Sequence, residues 1–126
     1  MAVVLILVVV VVVLSVRAAV PTTFTAKGTF DLINTADGGA CDPPDGYTDL
    51  SAGAQVIIST GGKTVAIGEL SEGTKLEGGL TCHYTFAVRG VPLGHKFYGV
   101  EITHRGVVQE SATDMEDGKV ALSIGS

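Results

Sequence analysis

Between Asp37 and Leu50 the chain reads DGGACDPPDGYTDL, which gathers Asp37, Asp42, Asp45 and Asp49 around Cys41. Several carboxylate oxygens in one loop are the chemistry of a calcium site, since Ca²⁺ takes six to eight oxygen ligands. The spacing departs from the 12-residue calcium loop, whose ligands recur at alternate positions and end on a glutamate. Pro43 and Pro44 also stiffen the backbone where a chelating loop has to wrap. Aspartate is equally a turn residue, because its carboxylate bonds nearby backbone N–H groups. A solvated, stapled loop is therefore the first expectation and a calcium loop built on these four aspartates the alternative. Tyr47 either packs on the staple or offers an exposed contact.

The remaining chemistry is sparse. His83, His95 and His104 are the three histidines, and none are spaced to share a strand face as a zinc site requires. Each reads as a surface residue. No Gly-x-Ser-x-Gly elbow occurs, and no glycine-rich loop leads into a helix to hold phosphate. Asp114, Glu116 and Asp117 form a charged run that reads as a solvated turn closed by Gly118. No catalytic residue and no resident cofactor are expected, and a small hydrolase or redox protein is the remote third reading.

The first residues, MAVVLILVVVVVVLSVRAAV, hold an unbroken apolar run from Ala2 to Leu14. As a helix it spans about 20 Å, short of the roughly 30 Å hydrocarbon core. Residues 1–18 are expected to be a signal peptide, with Val16 and Ala18 as the small residues before a cut after Ala18, or after Ala19. The run lacks the Lys or Arg that usually precedes such a segment, so an upstream start or an uncleaved membrane anchor is the alternative. Residues 19–126 are then one domain, secreted or held in the cell envelope, touching membrane only through that segment if it stays. Beyond Ala18 all 13 acidic residues remain against seven basic ones. Such a chain has no electrostatic footprint for nucleic acid.

An exported chain with two cysteines most simply carries one disulfide, Cys41 to Cys82, and free or reactive thiols are the alternative. The ring of 42 residues would add about 4 kcal/mol in the chain-entropy picture.

Period-two alternation dominates the rest. Phe24, Ala26, Phe30 and Leu32 form one apolar face, as do Ala54, Val56 and Ile58; Val65 and Ile67; Cys82, Tyr84, Phe86 and Val88; Tyr98, Val100 and Ile102; and Val120, Leu122 and Ile124. TGGK marks a tight hairpin turn. No helical spacing runs through a dozen residues. The expectation is an all-β fold, a seven-stranded antiparallel β-sandwich of prealbumin or immunoglobulin-like type.

The order VIISTGGKTVAIGEL, CHYTFAVRGVP, FYGVEI and VALSIG resembles the prealbumin-like sandwich of carboxypeptidase regulatory-like and collagen-adhesin B-type domains. More closely, Cys41 with GYTDL, the GAQV strand and the Cys82 to Phe86 C-x-[YF]-x-F strand are similar to small secreted actinobacterial proteins of unknown function. That resemblance implies secretion and a disulfide and brings no catalytic residues. Asn34, the sole asparagine, ends a strand, so no intramolecular isopeptide bond is expected. A non-enzymatic module meeting protein or cell-wall partners through end loops or a strand edge is the leading functional expectation; a calcium-dependent binding or stabilising domain is the second.

Overall fold

Alternation along TFTAKGTFDLI makes β1 (Thr23–Ile33) the spine of the fold: Ala26, Phe30 and Leu32 are buried while Thr23, Thr25 and Lys27 face water. The computed structural model describes residues 20–33, 41, 46–76, 78 and 80–125. The apolar segment 1–18, and with it the cleavage and anchor readings, lies outside the described residues. In chain order β2 (Gln55–Thr60), β3 (Lys63–Glu69), β4 (Thr74–Lys75), β5 (Thr81–Pro92), β6 (Phe97–Ile102), β7 (Val108–Ser111), α1 (Ala112–Glu116) and β8 (Val120–Ile124) follow. They make two four-stranded sheets, β4-β5-β1-β8 and β3-β2-β6-β7, packed face to face as an all-β sandwich.

Phe30, Leu32, Val56, Ile58, Tyr84, Val88, Tyr98 and Val100 fill the space between the sheets. Burying each such side chain stabilises by about 1.5–3 kcal/mol, offset by the entropy of ordering it. The TGGK hairpin forms as expected: Gly61 and Gly62 hold φ of +56° and +79°, the pair of positive angles a two-residue turn between right-twisted strands demands.

The structure departs from the sequence expectations in four places. The described residues hold eight strands rather than seven: beyond the six faces read from alternation, Thr74 and Lys75 pair with β5 as β4, and Val108–Ser111 pairs with β6 as β7. The pairing is not wholly antiparallel either: β8 runs parallel to β1, Gly28 opposite Val120 through Leu32 opposite Ile124. A chain that reaches β1 from β7 by way of a helix arrives at the right end to do so. Ile67, expected in the core, is 55% exposed, and Val65 is only half-buried. Ala66 and Gly68 stand opposite Ile58 and Val56, while Val65, at the register shift beside Ile58, still packs against the core. A Cβ on Gly68 would stand 2.8 Å from Val88 Cγ2, so the tight approach of β3 to β5 admits no larger side chain there. The expected face therefore holds at Val65 and fails at Ile67, because the register shift beside Ile58 changes which side of the strand meets the core.

The fourth departure is the charged run. Asp114 and Glu116 lie on a short capped helix, with Asp117 as its C-cap. The Asp114 N–H donates to Ser111 Oγ at 3.2 Å, and the carboxylate of Asp114 suits the helix N-terminus. The helix exists to deliver Met115, fully buried, into the core. Lys119 N–H donates to the Asp114 carbonyl at 2.9 Å, and Gly118 at φ +70° turns the chain into β8.

Candidate interaction site

The GYTDL part of the opening loop is pinned to one end of the sandwich. Cys41 joins Cys82 in a disulfide, with Cα atoms 5.7 Å apart; Cys82 is buried in β5 and Cys41 is half-buried. Leu50 is fully buried, an apolar peg that follows a turn in which its N–H donates to the Tyr47 carbonyl at 2.9 Å. Tyr84 OH, from the core, donates to the Leu50 carbonyl at 3.5 Å.

Between these anchors Asp49 meets Arg105, which lies in the turn after β6. The guanidinium Nε donates to Asp49 Oδ2 at 3.1 Å, and Nη2 donates both to Asp49 Oδ1 and to the Gly46 carbonyl, the latter at 2.5 Å. Its Cζ stands 5.0 Å from the centroid of the Tyr47 ring, so one arginine grips the loop by its carboxylate, its backbone and its aromatic face. Tyr47 is thereby placed against Arg105. Thr103 Oγ1 donates to Asp49 Oδ2 at 2.8 Å.

Thr103 holds φ at +52°, the sole left-handed non-glycine residue among those described. A β-branched residue occupies that region only where its surroundings over-determine it. Here the Thr103 N–H donates to the Gln55 carbonyl at 2.8 Å while its hydroxyl holds Asp49. The bonds from Arg105 hold the Asp49 carboxyl at about 2, against an ordinary 3.8, with partial burial working the other way and Thr103 adding to the lowering. The same pairing raises Arg105.

Of the four aspartates proposed as calcium ligands, Asp37, Asp42 and Asp45 lie outside the described residues. Both oxygens of Asp49 are engaged by protein donors. Among the described residues no three His, Cys, Asp or Glu side chains gather as a metal site.

The histidines are dispersed. His95 meets the Tyr98 ring edge-on at 5.7 Å, and His104 is exposed in the β6–β7 turn. His83 is not isolated: its Nδ1 lies 2.6 Å from Asp31 Oδ1, directly across the β1–β5 ladder, with each side chain about one-third exposed. The rung continues to Ser123 on β8 and Thr74 on β4. A carboxylate that orients an imidazole is one half of a hydrolytic relay. It stands on the outer face of a sheet, outside the open groove of about 650 Å³ that runs past Lys27, Thr29, Glu69, Ser71 and Thr85.

Sequence reading missed Arg105, Thr103 and the Asp31–His83 pair. No local pattern marks them, because their partners stand 56, 54 and 52 positions away. Only the strand periodicity around Asp31 and His83, which puts both on outer faces, carries a signal. Comparison with protein-family models, with curated proteins and with solved structures finds no match.

Proposed function

We propose that the chain is a non-enzymatic, secreted or cell-envelope β-sandwich module, of prealbumin or immunoglobulin-like type, that acts through contacts with a protein or cell-wall partner. The observation that carries the reading is the tethering of the GYTDL segment: a disulfide, a buried leucine and an arginine clamp hold a loop in one conformation at one end of a rigid scaffold. Loops held so lose little entropy on binding, which is how a scaffold presents a contact surface. The disulfide supports an extracytoplasmic compartment, and the likeness to small secreted actinobacterial proteins points the same way.

The calcium reading is the weaker of the two, because Asp49 would have to surrender Arg105 and Thr103 before it could ligate an ion. The test is a photo-reactive amino acid at Thr48, exposed at the tip of the clamped loop, in cells that export the chain. A discrete envelope adduct that disappears when the same group is moved to exposed Lys63, at the hairpin turn, supports the reading. Loss of all adducts at Thr48, with the protein folded and exported, refutes it.

A further inference from the structure

Among the described residues the sandwich has four strand edges, and three are protected against pairing. β4 is two residues long, β3 carries Lys63 and Glu69 beside an irregular register, and β7 is four residues long and carries Glu110. Short length, charge and irregularity are the devices that stop an edge from adding a further strand.

β8, one residue longer than β7, lacks both charge and irregularity. VALSI contains no charge and no proline, pairs with β1 in regular register, and among the described residues its other edge meets no strand. Its inward side chains Leu122 and Ile124 are only half-buried. They line a slot of about 100 Å³ between the sheets with Phe30, Val100, Ile102 and Val108, and Val108 is 46% exposed. The apolar interior thus reaches the surface along the one unprotected edge.

We infer that β8 is a self-association edge, on which a second copy of this chain adds its own β8 antiparallel to make one continuous eight-stranded sheet. The sequence of β8 is symmetric for such a pairing. Centred on Leu122, it sets Val120 against Ile124 and Ala121 against Ser123 of the second copy, so that apolar meets apolar on the inner face and small meets small on the outer face. No like charges are opposed. Lys119, on the outer face just before β8, comes within two strand spacings of Asp31 of the second copy, roughly 12 Å between Cα atoms. Twice across the axis, then, a lysine comes within side-chain reach of an Asp31 that His83 of its own chain also holds. One strand pair and one slot make a small contact, at the low end of specific interfaces, so the dimer is weak and depends on concentration.

The inference deepens the reading of this chain as an interaction module, and its test is independent of the Thr48 adducts. The full chain, exported and purified in the form the host leaves it, is followed by sedimentation from about 2 to 200 μM. A reversible monomer–dimer equilibrium is expected. Ala121→Lys with Ser123→Lys, both at exposed positions, sets lysine against lysine on two rungs and weakens the dimer at least tenfold with the melting temperature of the monomer unchanged. Gln109→Lys, on the β7 edge, leaves the equilibrium alone. A monomer throughout that range, or a dimer that survives the lysine pair, overturns the proposal. Should the paired lysines lower the melting temperature, Ser123→Lys alone, which sets a lysine against Ala121 on both rungs, is expected to weaken the dimer at least threefold, and no effect overturns the proposal. A monomer that still gives the Thr48 adduct sinks the dimer alone, and a dimer without that adduct sinks the partner reading alone.

Discussion

Replacing Cys41 and Cys82 with alanine removes the restraint on the widest covalent ring in the fold. The separation of 41 positions closes a ring of 42 residues counting both cysteines, and the chain-entropy relation assigns such a ring about 4 kcal/mol at 25 °C. Loss of the Cys41 sulfur, which lies 3.0 Å from where a Cβ on Gly73 would stand, beside the Tyr84 ring, adds a packing loss on top. For a domain of this size a loss of about 4 kcal/mol lowers the midpoint by about 16–30 °C. Guanidinium unfolding followed by far-UV circular dichroism measures it. The m-value is expected to rise as well, since an uncrosslinked chain exposes more surface when unfolded. A loss below about 1.5 kcal/mol with an unchanged m-value would refute the reasoning and assign the restraint to Leu50 and the arginine clamp instead.

Arg105→Met frees Asp49, and its carboxyl is expected to climb from about 2 towards 3.8, as read by carbon-detected NMR titration, with faster amide exchange at Leu50 as the loop loosens. The sign of the pH effect follows from the depressed folded value: the contribution of Asp49 is complete above about pH 4 and is lost as pH falls towards 2, so acid opening of the loop is expected in that window and is absent from the Arg105→Met protein. Gly28→Ala places a Cβ 2.5 Å from Phe86 Cζ and 2.8 Å from the Val120 carbonyl oxygen. Because one of those atoms is backbone of the neighbouring strand, a loss of about 2 kcal/mol or more is expected in a thermal melt. Met115→Ala empties a fully buried site and is expected to cost about 2–4 kcal/mol by chemical unfolding; a loss under 0.5 kcal/mol would show that the helix does not anchor the core.

Local alternation is enough to locate six of the eight strands among the described residues, because a half-buried strand must repeat every two residues wherever one face meets a core. The faces of β1, β5 and β6 were legible for that reason, as were the glycine-paired hairpin turn and the pairing of the two cysteines. What alternation could not settle was β3, where a register shift beside Ile58 leaves both Val65 and Ala66 against the core and then turns Gly68 rather than Ile67 inward. Side-chain bulk in the sequence says nothing about how closely the facing strand approaches, and Val88 leaves room only for the small residues.

The parallel pairing of β8 with β1, the burial of Leu50 and Met115 from outside the strands, and the grip of Arg105 on Asp49 belong to the tertiary structure alone. Each joins residues far apart in the chain, and a contact of that kind exists only once two sheets have packed and brought a loop end, a helix and a turn together. The sequence by itself determined the periodicity, the composition of the acidic loop and the cysteine count. Packing decided that Arg105 and Thr103 hold the Asp49 carboxylate, and along which edge the apolar interior reaches water.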